Sequence, residues 1–291
     1  MKTMFTRLAV VALCLATVVT SCKKNDDEPV TPIDPVEIVF MPTVITHNGI
    51  PMDSFVYNDD YTISKFFTAD EDLKTYTYNF EFFYDNNKVC RKVKVTDVTK
   101  GSETDTLIYQ DNKILRVRTF NGSIPSAPDS LYIQLNANKQ VTLVGSKDTL
   151  QDKSLEYRYL NYLEFIYNNG NWATFTNKDG SFYKGPDGST RNSVYTTTLN
   201  YTYDAKPNPL KPLFTINPVM YYYFYEGADL IHSCGTNNIS KIEGTLNANG
   251  ATTPFTYNFT ATFNADGTLK EQKVNDGTSE MVIGYKWVKA N

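Results

Sequence analysis

The chain of 291 residues has few of the side chains that metal sites and common catalytic centres need. It contains only four cysteines and two histidines, and Cys14 and Cys22 both lie near the N-terminus. The metal-binding side chains left to the rest of the chain are His47, Cys90, His232 and Cys234. No zinc site of ordinary ligand spacing can be drawn from them. We therefore expect neither a metal nor a cofactor.

The chain also lacks an excess of positive charge, since the formal net charge is −4 and becomes −6 when Lys2 and Arg7 are removed. An acidic chain without a basic patch argues against nucleic-acid binding, which depends on neutralising phosphates. Beyond residue 21, nothing approaches the roughly 18 consecutive apolar residues of a membrane helix. No group of convergent titratable side chains forms a catalytic signature, so we expect that the protein is not an enzyme.

The N-terminus has the layout of a secretory signal. Lys2 and Arg7 precede an apolar run, Leu8 to Val19, that is too short to span a bilayer stably. Small residues then lead to Cys22, and this arrangement resembles the lipobox of bacterial lipoproteins. The resemblance implies cleavage after a signal peptide of residues 1–21 and lipidation at Cys22, so that the membrane is a partner through an N-terminal lipid.

Residues 22–37 are predicted to form a tether. The charged run at residues 23–28 precedes Pro29, Pro32 and Pro35, and proline-rich chains rise about 3.1 Å per residue. An acidic cluster just after a lipidated cysteine resembles the surface-export signal of Bacteroidetes lipoproteins. It implies an outer-membrane lipoprotein at the cell surface, with a periplasm-facing orientation as the alternative.

The remaining residues, 38–291, are predicted to form a single β domain. The chain holds 21 tyrosines and 17 phenylalanines, residue types that suit a pleated and half-buried surface. The segment Tyr76 to Phe82 alternates aromatic and polar residues, which is the period of a strand, and residues 89–95 alternate in the same way. No comparably long stretch has a convincing helical period. The domain is therefore expected to be almost entirely antiparallel β.

A short unit recurs along this domain, with an aromatic or apolar residue, then Asp or Asn, a polar turn and another apolar residue. Its copies start at Tyr84, Tyr109, Leu135, Tyr167, Tyr203, Leu246 and Phe263. Each copy predicts strand, tight turn and strand, because Asn, Asp and Gly tolerate the backbone of hairpin turns. The spacing is uneven, at 25 residues from Tyr84 to Tyr109 and 36 from Tyr167 to Tyr203. Uneven spacing favours a meander of hairpins in a curved extended sheet or barrel-like domain over propeller blades.

The hairpins that begin Tyr-Asp resemble YD-type repeats. More specifically, residues 201–211, with a Tyr-Asp turn running into Asn208-Pro209, resemble an uncharacterised Bacteroidetes lipoprotein family with a porin-like fold. Residues 237–239 and 255–269 extend the resemblance, which covers roughly residues 50–288. The family has no established activity, so the resemblance implies only a fold and a cellular location. The turns at residues 85–88 and 110–113 depart from it by lacking glycine.

A porin-like fold need not lie in a membrane. A membrane barrel needs strands of about 9–11 residues with an apolar band facing lipid. The outward positions predicted here mix Thr, Asn, Lys and Glu. The sequence therefore favours a water-soluble domain.

Two aromatic groups are candidates for ligand binding. Tyr221, Tyr223 and Tyr225 would share one face of a strand, where an exposed row could stack on sugar rings or a peptide. The alternative, which we favour, is a strand buried on both faces. Trp172 and Tyr167 flank a predicted turn, where recognition residues often lie, although cross-strand aromatic pairing is the more common explanation.

Two covalent features are also predicted. Cys90 and Cys234 can form a disulfide outside the cytoplasm, although a strand cysteine is often simply a small buried residue. Thr106, Ser130 and Thr149 each follow Asp and precede Leu, and this pattern resembles the O-glycosylation signal of Bacteroidetes extracytoplasmic proteins.

Taken as a sequence, the chain predicts a lipid-anchored envelope protein that binds or scaffolds. A glycan or an outer-membrane protein is the expected partner. The alternatives are an extracytoplasmic glycan-acting hydrolase and a structural subunit of an envelope complex. A pair such as Glu156 and Glu164 could serve a hydrolase, but both lie among polar neighbours in alternating segments, which favours a solvated face.

Overall fold

The computed structural model describes residues 39–70, 75–121, 129–152, 157–185, 187–216, 219–227 and 235–290. The strands in this part of the chain are β1 Val39–His47, β2 Ile50–Tyr57, β3 Ile63–Asp70, β4 Thr75–Tyr84, β5 Cys90–Asp97, β6 Gly101–Gln110, β7 Lys113–Asn121, β8 Asp129–Leu135, β9 Val141–Asp152, β10 Tyr157–Asn168, β11 Asn171–Lys184, β12 Thr190–Pro207, β13 Asn237–Ala248, β14 Ala251–Phe263, β15 Leu269–Asn275 and β16 Glu280–Ala290. Two short helices follow β12, α1 Lys211–Ile216 and α2 Met220–Gly227.

Each strand pairs antiparallel with the next one along the chain, and β1 pairs with β16, so the sheet closes into a barrel of sixteen strands. The closing pair runs in register from Val39↔Ala290 to His47↔Ile283, with an irregularity between Pro42 and Val44. The predicted all-β antiparallel meander is therefore confirmed, and the barrel is the form that it takes. The predicted signal peptide and tether, residues 1–37, lie outside the described residues.

The wall of the barrel follows from the alternation in the sequence. In β4, Phe80 and Phe82 are buried and point into the lumen, while Glu81 and Phe83 point outward. Because successive side chains of a strand lie on opposite faces, one face of each strand supplies the core and the other the exterior.

The predicted turn at residues 85–88 shows how a hairpin forms there without glycine. The amide of Lys88 donates to the carbonyl of Asp85 at 2.9 Å, and the Asp85 carboxylate accepts from the amides of Asn87 and Val89 at 2.9 and 3.0 Å. Lys88 takes the left-handed backbone conformation, with φ of 61°. The hairpin after β8 repeats this pattern with Lys139, also at φ 61°. A type I turn followed by one left-handed residue is a common hairpin connection, and here lysine fills the position that usually takes glycine.

Since the strands alternate in direction, all odd-numbered strands end at one end of the barrel, which we call the upper end. The turns after β5 and β11 lie there. The turns after β4, β6 and β10 lie at the opposite, lower end, as do the end of β12 and the start of β13.

The connection between β12 and β13 enters the lumen from the lower end. We call its two helices, Lys211–Ile216 and Met220–Gly227, the plug. Leu213, Phe214 and Met220–Phe224 are buried, and the rings of the plug contact inward-facing rings from several strands. Between ring centroids, Phe224 lies 5.9 Å from Phe55 and 5.0 Å from Phe66. Tyr223 lies 5.8 Å from Phe80 and 5.7 Å from Phe82. Tyr221 lies 6.1 Å from Trp172. A helix whose apolar residues are buried on all sides needs such an enclosure.

Two local predictions are wrong. Residues 203–205, predicted as a turn, lie within β12, where the pairing with β13 is irregular on both sides of Tyr203. Tyr221–Tyr225, predicted as a strand, lie in α2. Aromatic residues favour strands only where a neighbouring strand is available, and here the surrounding wall already has its partners.

Candidate functional site

The structure places Trp172 inside the barrel instead of on an exposed loop. Its side chain is 1% exposed, and its ring lies 4.8 Å from Phe165 and 6.1 Å from Phe175 between centroids. Tyr167 is half-buried beside it, 6.5 Å away, and its hydroxyl donates to the carbonyl of Val141 at 2.8 Å. Trp172 is therefore not exposed as the surface-recognition hypothesis expects, and the contacts of this pair are those of aromatic packing.

Tyr221 and Tyr223 form no exposed row. They are 6% and 0% exposed, and both belong to the plug. The predicted burial is confirmed for these two side chains, although in a helix. The side chain of Tyr225 lies outside the described part of the structure.

Cys90 is a buried residue at the lower end of β5 and forms no disulfide with any described residue. Burial raises the pKa of its thiol to about 12. Cys234, like His232 and Cys22, lies outside the described residues, so the Cys90–Cys234 pairing and the lipidation of Cys22 stay predictions. His47 ends β1 and is half-buried.

The three predicted glycosylation residues have exposed side chains. Thr106 and Ser130 both pair with Val117, from opposite sides, so they flank one position on the outer wall. Thr149 lies on β9. Their modification stays a prediction.

The site that the structure brings together is a pocket of about 310 Å³ on the inner wall near the upper end. It is lined by Tyr78 and Phe80 of β4, Val95 and Asp97 of β5, Gly101, Ser102 and Glu103 of β6, Arg118 and Phe120 of β7, and Lys100 from the turn after β5. Cross-strand register explains why these residues meet. Tyr78 pairs with Asp97, and Asp97 pairs with Gly101. These three residues form the row nearest the upper end. One step deeper, Phe80, Val95, Glu103 and Phe120 form the next row.

A buried ionic cluster forms the floor of this pocket. Asp105 is 0% exposed, and the guanidinium of Arg118 donates to its two carboxylate oxygens from Nε at 2.8 Å and from Nη2 at 2.9 Å. Arg118 also reaches Glu103 at 3.0 Å through Nη1. The guanidinium is therefore held flat and fixed between two carboxylates, since a bidentate pair restrains both position and orientation.

The same cluster joins the wall to the plug. The hydroxyl of Tyr223 donates to Asp105 Oδ2 at 2.9 Å. Burial, followed by the negative charge of Asp105, raises the pKa of the Tyr223 phenol well above its usual value. Arg116 is 1% exposed, pairs with Asp129 at 2.6 Å and lies over the ring of Tyr222 at 5.2 Å. Charged contacts thus hold α2 against β6 and β7.

The carboxylates in the pocket wall differ in their surroundings. Asp97 accepts from the hydroxyl and amide of Thr99 and from the amide of Lys100, so it shapes the turn after β5. The Thr99 hydroxyl is the main cause that holds the pKa of Asp97 below its usual value. Glu103, in contrast, faces the guanidinium of Arg118. Beside it, Phe120 is 44% exposed.

This pocket was not predicted from the sequence. In the sequence, Arg116 and Arg118 alternate with Leu115 and Val117, which suggests an exposed charged face, whereas the structure turns both arginines inward beside Asp105. Charged residues at buried strand positions mark a cluster that must be paired in the fold.

Within the described ranges, no group of three or more His, Cys, Asp or Glu residues is arranged to hold a metal ion. Among the same residues, no helix is long and apolar enough to cross a membrane.

Comparisons with known proteins find similarity at the level of structure. No family model matches the chain, and no curated protein sequence matches it. Among solved structures, a porin-like protein from Bacteroides vulgatus ATCC 8482 is similar, with a TM-score of 0.39 and 11% identity over 85% of this chain and 98% of that one. A porin-like protein from Bacteroides uniformis ATCC 8492 has a TM-score of 0.35 and 11% identity, over 86% of this chain and 97% of that one.

Proposed function

We propose that this is a lipid-anchored envelope protein whose plugged, water-soluble barrel binds a ligand at the upper end of its lumen. The observation that carries the proposal is the pairing of a filled lumen with a pocket on its inner wall. In the described part of the barrel, buried helices obstruct a path for water through the lumen, whereas a concave site with aromatic walls and a few fixed polar groups suits a ligand.

Charges on the outer wall support a barrel that faces water. Lys65 pairs with Glu81 at 2.8 Å, Lys147 with Glu164 at 2.6 Å, and Lys273 with Glu280 at 3.1 Å, all at outward positions of the strands. A Lys or Arg facing lipid at the bilayer midplane costs about 2–4 kcal/mol. Charges spread around the wall in this way favour an aqueous exterior.

The sequence around Cys22 supports the lipid anchor in this proposal. Acyl chains contribute about 0.8 kcal/mol per buried methylene, so several chains hold a protein at a membrane essentially permanently. The acidic run at residues 23–28 favours the cell surface, with the periplasmic face as the alternative orientation.

Two carboxylates in one pocket raise the hydrolase alternative, because glycosidases use such pairs. One of the two must act as an acid with a raised pKa. Asp97 has a lowered pKa, and Glu103 is paired with a guanidinium. Neither is prepared to donate a proton, so binding is the function that the geometry supports better. A structural subunit would instead be recognised by an envelope partner that co-purifies with it.

The anchor is tested by labelling cells that express the full chain with a palmitate analogue. Labelling should be lost in Cys22→Ser and retained in Cys14→Ser, the matched control within the same segment. Label that persists in Cys22→Ser would contradict the anchor.

The barrel and its pocket are tested separately. Residues 23–291 contain all sixteen strands, so this segment should purify without detergent and give no conductance in a planar bilayer. Native mass spectrometry of the protein from its host envelope should show a bound mass that is lost in Phe120→Ala. Stepwise conductance, or a bound mass unaffected by that substitution, would contradict the proposal.

A further inference from the structure

We infer that the pocket on the inner wall binds an uncharged saccharide ring, an inference that rests on the proposed binding function and names its ligand class. The charge, the aromatic surface and the size of the pocket each point to this ligand class.

The charges that line the pocket are balanced. Asp97 and Glu103 contribute carboxylates, and Lys100 and Arg118 contribute cations. An anionic ligand would meet the two carboxylates, and a cationic ligand would meet the two cations. An ion of either sign would meet as many like charges as opposite ones, so the wall offers a charged ligand no net attraction to offset its desolvation. An uncharged ligand with several donors and acceptors fits this wall.

The polar groups are also rigid. Arg118 is held by Asp105 and Glu103, and Asp97 is fixed by three hydrogen bonds from its own turn. A planar guanidinium and planar carboxylates that are held by such contacts are suited to pairs of neighbouring hydroxyls, which present donors and acceptors at a fixed spacing. Preorganised groups of this kind lose little conformational freedom when a ligand binds.

Aromatic surface completes the site. Tyr78 and Phe80 lie on one side and Phe120 on the other, and the ring of Phe120 is 44% exposed although it points inward. A large ring left exposed beside charged groups has surface available for an apolar ligand face. A saccharide ring carries both features, with C–H groups on its faces and hydroxyls at its edge. An aliphatic or aromatic ligand would displace water from these charged groups without offering hydrogen bonds in its place.

The size of the pocket restricts what enters. Ligand sites range from about 300 to 1,000 Å³, and this one has about 310 Å³. It therefore takes a small unit, such as one terminal ring of a longer chain, and not an extended segment.

The inference is tested with residues 23–291, which contain the sixteen described strands of the closed barrel. The probes are maltose, cellobiose, lactose and N,N′-diacetylchitobiose, with digalacturonate as the acidic comparison and trialanine as the peptide comparison. Saturation-transfer NMR detects contact, and calorimetry gives the affinity. At least one neutral disaccharide should bind more tightly than digalacturonate and trialanine.

Substitutions then locate the site. Phe120→Ala and Glu103→Gln should each weaken saccharide binding at least about tenfold, which corresponds to about 1.4 kcal/mol. Phe83→Ala is the matched control, because Phe83 is exposed to a similar extent, 42%, but lies on the outer wall. It should leave binding unchanged, and circular dichroism should show that all three variants fold.

Each other outcome decides between the two proposals. Binding of trialanine or digalacturonate alone, lost in Phe120→Ala, would overturn the saccharide inference and leave the binding function standing. Saccharide binding unaffected by both inner substitutions would overturn the pocket for both proposals. Binding of none of the probes would overturn the inference, while the native mass measurement decides the binding function by itself.

Discussion

Replacing Asp105 by asparagine should destabilise the plugged barrel strongly. The carboxylate is fully buried, accepts two hydrogen bonds from Arg118 and one from Tyr223, and lies 3.8 Å from Arg116 Nη1. Asparagine keeps the shape but leaves two largely buried guanidinium groups without this counter-charge. Breaking a buried ion pair from one side costs about 3–5 kcal/mol, so we expect the free energy of unfolding to fall by that amount.

Tyr223→Phe isolates the contact between the wall and the plug. It removes one hydrogen bond to a charged acceptor and should cost about 1.5–3 kcal/mol. Tyr285→Phe is the matched control, because Tyr285 is also buried but donates to the uncharged Gln272 at 3.2 Å. That bond should contribute about 0.5–1.5 kcal/mol. With Asp105→Asn already present, Tyr223→Phe should cost less than it does alone, since the two residues share one interaction.

Equilibrium urea unfolding of residues 23–291, followed by tryptophan fluorescence, measures these differences. Trp172 touches the plug through Tyr221, so its emission reports on the packed lumen. Variants with unchanged slope and shifted midpoint have changed stability. The reasoning is refuted if Asp105→Asn and Tyr285→Phe lower the free energy of unfolding equally, or if Tyr223→Phe costs the same with and without Asp105.

Four further predictions follow from burial and exposure. Trp172→Ala should lower the free energy of unfolding by about 3–5 kcal/mol in the same titration, and Tyr132→Ala on the outer wall by about 0.5 kcal/mol or less; equal effects would contradict the packed lumen. The free energy of unfolding should keep its full value below about pH 10 and fall as the pH rises further. The reason is that burial raises the pKa of several tyrosines in the folded barrel, whereas the unfolded chain loses those protons near the ordinary pKa of about 10. The tyrosines with this raised pKa include Tyr57, Tyr109, Tyr223 and Tyr285. Tyrosinate absorbance should therefore rise together with unfolding, and full titration of a folded barrel would count against it. The Cys90 thiol should react with a thiol reagent only after unfolding, since its pKa is raised to about 12; if it pairs with Cys234, unreduced protein should show no reactive thiol even when unfolded. Intact mass of protein from its host should exceed the lipidated polypeptide mass through glycans at exposed Thr106, Ser130 and Thr149, and an unmodified mass would rule this out.

The strands could be predicted from the sequence because their signals are local. The alternation in Tyr76–Phe82 and the Asp85 turn require only neighbouring residues, and the structure has β4, the turn and β5 in these places. The helix α2 could not be predicted in this way. Tyr221–Phe224 have the composition of a strand, and they become helical because the lumen encloses them on every side.

The pocket could not be predicted because both faces of β6, the strand at its centre, are polar. In β6, Ser102, Thr104 and Thr106 alternate with Glu103 and Asp105, so polarity does not identify the inner face. Trp172 was misplaced for a related reason. Trp172 follows a tight turn, which suggests exposure, but in the closed barrel its side of β11 faces the lumen.

By itself, the sequence determined six of the seven predicted hairpins, their antiparallel order and the motif around Cys22, because turn chemistry and side-chain alternation act over a few residues. Only the tertiary structure decided that the sheet closes, that a helical segment fills it and that Asp97, Glu103 and Arg118 share one pocket. Closure joins Val39 to Ala290, at opposite ends of the described domain. Contacts across a lumen depend on that distant register, and no local pattern encodes which side chains will meet there.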